Sequence, residues 1–202
     1  MQIEILIIDD DKRFEQDAKF WALKDKYGDN VVNFIDNAQG GIDYIQENLH
    51  KNIIVVLDFE FSVNEKNGRQ VFNEIMNFSS LIPVLFLTGS NRIEKDDYAD
   101  IINNHAFGIY NKMITPKEFI EKIEKAVLYF DTSLDNTIED WIIANKNDKD
   151  KPIYLTSSGQ SYSLNEILKE IRMQTPIGKD FSKKFNALTI DLLLRNKEKL
   201  ND

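Results

Sequence analysis

The sequence contains no cysteine and only two histidines among its 202 residues. The absence of cysteine excludes disulfide bonds, thiol nucleophiles and cysteine-ligated zinc sites. His50 and His105 are far apart in the sequence, and both fall in predicted loop or helix-end settings. A histidine-based metal site or a serine–histidine–aspartate triad is therefore not expected. Candidate chemistry has to be sought among carboxylates, amines and hydroxyls.

Long apolar runs are missing as well. No stretch approaches the roughly 18 apolar residues that a membrane-spanning helix needs. Met1 leads directly into the first predicted strand, with no segment that resembles a targeting signal before it. These features predict a cytoplasmic protein that makes no contact with a membrane.

The net charge of −9 is distributed unevenly along the chain. Residues 1–131 contain 14 Lys and Arg against 23 Asp and Glu, whereas residues 152–202 contain 8 against 6. An acidic first region argues against binding nucleic acid by phosphate neutralisation. The weakly basic C-terminal region leaves DNA open as a partner, although it is not favoured.

Five short apolar segments predict the strands of a parallel sheet. The clearest is residues 53–57, an Ile, Val and Leu run that is typical of a strand buried on both faces. Helical patterns separate the strands, and this alternation predicts an α/β fold, a doubly wound five-stranded parallel sheet in the order 2-1-3-4-5 with five helices. The predicted strands are residues 3–8, 31–35, 53–57, 83–87 and 107–110, and the predicted helices are residues 12–26, 38–49, 69–78, 91–104 and 116–130.

Composition changes after residue 131, and three regions are predicted: a domain at 1–131, a short helix and flexible linker at 132–151, and a small, mostly helical C-terminal domain at 152–202. The last region begins with a β-hairpin turning at residues 157–160. A capping box of Ser163 and Glu166 opens a helix, and residues 175–178 end it. The final helix is expected to turn four side chains inward: Phe181, Phe185, Leu188 and Leu192.

Acidic and polar side chains follow the predicted strands, at the edge where parallel strands end. Asp9 and Asp10 follow the first strand, Asp58 the third, Thr88 the fourth and Lys112 the fifth. Two carboxylates about 4 Å apart repel by about 4 kcal/mol at an effective dielectric constant near 20. A cluster of three therefore needs protons or a cation. All-oxygen ligands with open water positions favour Mg²⁺, with Mn²⁺ or Ca²⁺ as alternatives.

Asp58 is then a candidate carboxylate nucleophile that would form an aspartyl phosphate. The order of these residues, each after a predicted strand, resembles the receiver domain of two-component response regulators. The resemblance covers residues 1 to about 130. It implies that Asp58 is the phosphoacceptor, that Asp10 and Asp58 ligate Mg²⁺ directly, that Asp9 acts mostly through water, and that the Glu60 backbone carbonyl completes the ligands.

The resemblance also implies a switch in which Thr88 and Lys112 follow the phosphoryl group. Three features depart from the usual family pattern. Gly68 comes later than the family's loop glycine, and no proline precedes it in the loop. Met113 stands where the family usually has a proline after the lysine. Ile109 occupies a switch position that is usually aromatic, with Tyr110 beside it on the opposite face of the strand.

The function implied is a bacterial phosphorelay response regulator, not an enzyme beyond self-catalysed phosphoryl transfer and dephosphorylation. A sensor histidine kinase or phosphotransfer protein is the expected donor. A protein partner or a second copy is expected at the face formed by the fourth helix, fifth strand and fifth helix, or at the C-terminal module. Two alternatives stay open: a phosphorylation-switched DNA-binding regulator, with basic residues on the last helix, and a pseudo-receiver that is never phosphorylated and acts as a scaffold.

Overall fold

The computed structural model describes residues 3–62, 66–89, 99, 101–131, 133–145 and 148–196. The chain forms two compact units, Met1–Thr132 and Ser133–Asp202. Within the described residues, no helix combines the length and apolar character needed to cross a bilayer.

The first unit is a parallel sheet with helices on both faces. Its five strands lie in the order β2-β1-β3-β4-β5, so the predicted fold and strand order are confirmed. The predicted helix at residues 91–104 lies mostly outside the described residues. Within its described part, residues 101–103 are helical. The elements are β1 (Ile3–Ile8), a 3₁₀ helix (Lys12–Gln16), α1 (Ala18–Tyr27), β2 (Val32–Ile35), α2 (Ala38–Glu47), β3 (Asn52–Asp58), α3 (Gly68–Phe78), β4 (Val84–Thr88), β5 (Gly108–Asn111) and α4 (Pro116–Asp131).

Alternating side chains of the central strands build two separate cores. On one face Val55 and Leu57 of β3 pack with Phe72 of α3. On the other face Ile54 and Val56 pack with side chains of α1 and α4. Every residue of β3 is buried. This double burial explains why residues 53–57 form an uninterrupted apolar run and why Asp58, the last residue of β3, is held at the edge of the sheet.

The predicted single helix at residues 12–26 is wrong. Asp17 has an extended backbone between the 3₁₀ helix and α1, and its side chain caps α1 by accepting a hydrogen bond from the Lys19 N–H group. This local bond competes with helix continuation. The break also changes which residues face inward. Phe20 and Leu23 are buried, whereas Trp21 is 58% exposed.

The loop after β3 is closed tightly at its far end. The Gly68 N–H group donates to the Phe59 carbonyl at 3.0 Å. A Cβ atom at Gly68 would lie only 2.2 Å from the Asp58 carbonyl oxygen. A glycine is therefore needed for α3 to begin directly against the end of β3.

The second unit combines a β-hairpin with three helices: α5 (Leu134–Ala144), β6 (Pro152–Leu155), β7 (Ser161–Ser163), α6 (Leu164–Arg172) and α7 (Pro176–Asn196). The antiparallel hairpin and the capping box of Ser163 and Glu166 are as predicted. Gly178 lies inside α7 rather than in a break, because α6 and α7 approach closely there: an added Cβ would lie 2.2 Å from the Glu170 carbonyl oxygen.

The sequence places the short helix and a linker ahead of a module at 152–202, whereas the structure groups α5 with that module. Arg172 of α6 supplies the reason. Its buried guanidinium donates to Asp135 and Asn136 of α5, each at 3.2 Å, and to Glu139 at 3.1 Å. Part of the predicted flexible linker is also ordered, since the Asn165 N–H group donates to the Lys149 carbonyl at 3.2 Å.

The prediction that four side chains of the last helix point inward is largely wrong. Phe181 is buried and makes an edge contact with Tyr154. Phe185, Leu188 and Leu192 are 39%, 56% and 48% exposed, so the described part of the unit leaves this length of α7 largely uncovered. Trp141 of α5 is also substantially exposed.

Candidate functional site

The strand register aligns the predicted site residues at one edge of the sheet. Ile8 of β1 pairs with Leu57 of β3, so the next residues, Asp9 and Asp58, are neighbours. On the other side Asp58 pairs with Leu87 of β4, which places Thr88 one residue further along. The Lys112 N–H group donates to the Thr88 carbonyl at 2.7 Å, which ties the end of β5 to the end of β4.

Lys112 forms the centre of the cluster. Its ammonium group lies 2.7 Å from Asp9 Oδ2 and 2.7 Å from Asp58 Oδ2. Both carboxylates are buried, and so is Thr88. Charge-assisted hydrogen bonds of this length hold the lysine between two strand ends.

Asp10 completes a group of three carboxylates. Asp9, Asp10 and Asp58 each offer an oxygen atom, and these atoms lie within 4.8 Å of one another. Asp11, which follows Asp10 directly in the sequence, has a different role. Asp11 caps the 3₁₀ helix and pairs with Arg13, whose hydrogen bonds lower the Asp11 pKa from 3.8 to about 2.

Burial, together with the adjacent Asp9 charge, raises the pKa of Asp58 from 3.8 to about 6, against the opposing effect of Lys112. Burial alone would lower the pKa of Lys112, but its hydrogen bonds with Asp58 and Asp9 outweigh that effect and raise the pKa. Because both pKa values are raised, Asp58 and Lys112 each hold a proton more readily than the free side chains do. Such a response is expected where carboxylates outnumber cations.

This charge imbalance fits a divalent cation. Three carboxylates and one ammonium group carry a formal charge of −2, and every candidate ligand in the group is a carboxylate oxygen. Hard oxygen ligands of this kind suit Mg²⁺ or Mn²⁺. The Glu60 N–H group donates to Asp58 Oδ1 at 3.3 Å, so the residue predicted to supply a backbone ligand lies beside Asp58.

Ser62 is a contact of the site that sequence reasoning missed. Its N–H group donates to Asp10 Oδ2 at 2.8 Å, and its hydroxyl group bonds the same oxygen. The loop after β3 therefore folds back onto the carboxylate that follows β1. No spacing rule marks such a serine, because the contact joins residues that are 52 positions apart.

Two of the three predicted switch residues, Ile109 and Tyr110, lie on β5, and the third, Thr88, ends β4. Ile109 packs against the core that contains Phe72, whereas Tyr110 packs against the core formed with α1 and α4. The two side chains therefore lie on opposite faces, as expected. Burial raises the pKa of Tyr110, and the Lys122 ammonium group lies 5.2 Å from the centre of its ring.

No protein-family model matches the chain, and no curated protein matches it in sequence. Solved structures do match in fold. A CheY-like response regulator receiver domain protein from Methanospirillum hungatei JF-1 has a TM-score of 0.54 and 19% identity, covering 66% of this chain and 100% of that chain. A receiver domain protein from Clostridium thermocellum has a TM-score of 0.53 and 24% identity, with 62% and 94% covered.

A third match is the N-terminal domain of a response regulator/sensory box/GGDEF three-domain protein from Carboxydothermus hydrogenoformans. It has a TM-score of 0.52 and 23% identity, covering 63% of this chain and 96% of that chain. These similarities show that the chain contains the receiver fold of response regulators, as the sequence predicts, together with a C-terminal remainder.

Proposed function

We propose that this protein is a response regulator that accepts a phosphoryl group on Asp58, with Mg²⁺ or Mn²⁺, and thereby switches its C-terminal unit. The observation that carries the proposal is the position of Lys112, bonded to both Asp9 and Asp58 beside a third carboxylate. The fold alone would not support this function, because a receiver-like sheet can exist without the chemistry.

In the proposed reaction, a carboxylate oxygen of Asp58 attacks the phosphorus atom of a phosphohistidine on a sensor kinase or phosphotransfer protein. A P–O bond forms as the P–N bond breaks, and the histidine nitrogen retains the electron pair. With a pKa of about 6, Asp58 is mostly ionised near neutral pH and available as the nucleophile. This donor is consistent with the cytoplasmic location predicted from the sequence.

Other side chains at the edge of the sheet would stabilise the transferred group. Lys112 can exchange its bond to Asp58 for one to a phosphoryl oxygen while keeping Asp9 as a partner. The Thr88 hydroxyl can donate to another oxygen. A bound Mg²⁺, held directly by Asp10 and Asp58, with the Glu60 carbonyl and with Asp9 through water, would neutralise charge on the phosphoryl group.

The signal would then leave through β5. Ile109 and Tyr110 lie on the strand that ends at Lys112, and α4 follows that strand directly. We assign Thr88, Ile109 and Tyr110 to the switch. Because Ile109 has no ring or hydroxyl group, its movement would alter apolar packing rather than a hydrogen bond.

The test is phosphorylation of the full chain with acetyl phosphate and Mg²⁺, followed by intact-mass measurement. The expected result is the mass gain of one phosphoryl group, absent without Mg²⁺ and absent in Asp58→Asn. An unchanged mass, together with no change in Tyr or Trp fluorescence on adding beryllofluoride, would favour the pseudo-receiver alternative.

A DNA-binding output is less well supported than a protein-binding one. Lys184 and Arg195 of α7 lie 2.8 and 2.7 Å from Asp180 and Asp191, so part of the basic charge is neutralised within the helix. The exposed surface of the same helix is rich in leucine. Binding of the full chain to duplex DNA with a steep salt dependence would reverse this ranking.

A further inference from the structure

The second half of α7 exposes an apolar stripe that the described part of its own unit does not cover. The stripe consists of Phe185, Leu188 and Leu192, and it continues from the buried Phe181. The intervals between these four residues are four, three and four. This alternation is the spacing of a helix that packs along another helix with interlocking side chains.

The stripe is self-complementary when two copies of α7 run antiparallel. Phe185 of each copy then lies opposite Leu188 of the other, which gives two equivalent central layers. The same alignment brings Leu192 next to Phe181 of the second copy, beside the ring stack that Phe181 forms with Phe185. A single alignment therefore pairs the exposed Phe185 and Leu188 twice and sets each Leu192 at the edge of the buried Phe181, as a two-fold symmetric interface requires.

Charge selects the same alignment. Lys184 and Asp191 border one side of the stripe, whereas Ser182 and Thr189 border the other side. In the antiparallel pair, Lys184 lies opposite Asp191 of the second copy, and the pairing occurs twice. In a parallel pair Lys184 would instead face Thr189, and it would have no charge partner across the interface.

We infer that α7 pairs with α7 of a second copy of this chain, antiparallel, through Phe185, Leu188 and Leu192. The interface is short, so the dimer is expected to be concentration-dependent rather than permanent. The inference rests on the C-terminal unit and does not depend on phosphorylation of Asp58.

Sedimentation equilibrium of the full chain, without phosphoryl donor, measures the dimer dissociation constant. Leu188→Ala should weaken dimerisation by about 100-fold, because each dimer loses two buried leucines. Leu194→Ala is the matched control. Leu194 is 74% exposed but lies on another side of α7, so its loss should change the constant by less than about threefold. Equal effects of the two substitutions, or a chain that stays monomeric at high concentration, would overturn the inference.

A charge exchange tests the orientation. Lys184→Glu or Asp191→Lys alone should each weaken the dimer by about tenfold, because like charges then meet twice. The double exchange should restore most of the affinity. Within one copy, Lys184 bonds Asp180 and the Tyr154 hydroxyl, and Asp191 bonds Arg195. The exchange restores none of these bonds, so rescue reports the contact between copies. Absence of rescue in variants that show native circular dichroism would contradict the antiparallel arrangement.

Discussion

Each of the two units contains a cation held by carboxylates, and the two clusters differ in net charge. In the C-terminal unit, Arg172 directs its guanidinium at Asp135, Asn136 and Glu139. In the receiver unit, Lys112 meets Asp9 and Asp58, with the Asp10 carboxylate also close. The first cluster joins two helices, and the second lies where four strands of the sheet end.

The difference separates a structural cluster from the cluster for which we propose a reaction. Arginine offers several donors in a fixed plane, and Arg172 directs three hydrogen bonds at one neighbouring helix, which favours a single arrangement. Lysine is a mobile point charge that can change partners. The raised pKa of Asp58 shows that Lys112 does not offset burial and the charge of Asp9. The receiver cluster, with three carboxylates around one ammonium group, therefore stands to gain more from a metal ion than the Arg172 cluster, in which two carboxylates face one guanidinium group.

The largest effect is expected from breaking the Arg172 cluster. Arg172→Met leaves Asp135 buried without its cation, so unfolding of the C-terminal unit should become easier by about 3 kcal/mol. Denaturant unfolding followed by circular dichroism would show an earlier transition for this unit.

Two variants sharpen this test. Lys151→Met removes a cation from an exposed pair with Asp148 and should cost less than about 0.5 kcal/mol. Replacing Asp135 by Leu together with Arg172→Met should recover part of the loss, because no buried charge is left unpaired. A loss in Arg172→Met no greater than that in Lys151→Met would mean that the buried pair does not hold α5 to α6.

In the receiver cluster, removing a charged side chain should instead raise the free energy of unfolding. Because the pKa of Asp58 is about 6 in the folded protein and 3.8 ordinarily, the folded state binds more protons between these values. Stability therefore falls as pH rises from about 4 to about 6 and stays reduced above that range. In metal-free buffer near pH 7.5, Asp58→Asn should raise the unfolding free energy by about 2 kcal/mol.

The pH dependence of unfolding provides a control. The unmodified chain and Asp58→Asn should have equal stability below about pH 4. Asp11→Asn is the neighbouring control. The Asp11 pKa is lowered rather than raised, so its charge is favourable and the substitution should not stabilise. Mg²⁺ should raise the melting temperature of the unmodified chain more than that of Asp58→Asn. Equal shifts would contradict a metal site at Asp58.

The receiver cluster could be predicted from the sequence because its residues are marked locally. Buried strands are apolar runs, and the residues that follow parallel strands meet at one edge of the sheet. Spacing alone therefore placed five side chains at that edge: Asp9, Asp10, Asp58, Thr88 and Lys112.

The role of Arg172 could not be predicted in this way, because it depends on a helix that packs from another part of the chain. The buried stripe of α6 is Ile167, Leu168 and Ile171, and Arg172 lies four residues after Leu168 on the same side of the helix. The local pattern therefore indicates that this cation turns inward. It does not indicate that Asp135 of α5 receives it.

The error in α7 has the same tertiary origin, whereas the error at Asp17 has a local one. The four apolar residues of α7 have the spacing of a buried face, yet three are exposed, because periodicity shows that a face is apolar and not whether the chain itself covers it. The break at Asp17 depends on a local capping bond that competes with a favourable helical pattern.

The smallest effect is expected at the contact between the loop and Asp10. Ser62→Ala removes the hydroxyl donor but keeps the N–H group that donates to Asp10 Oδ2 at 2.8 Å. Asp10 is only partly buried, so with one donor fewer its carboxylate should turn towards solvent more often and bind metal less well. We expect Mg²⁺ affinity, measured by calorimetric titration, to fall about threefold, the scale of one exposed hydrogen bond. Ser62→Thr keeps a hydroxyl group and should retain most of the affinity. Tighter Mg²⁺ binding by Ser62→Ala would show instead that Ser62 competes with the metal for Asp10, and the loop would then oppose metal binding rather than prepare the site for it.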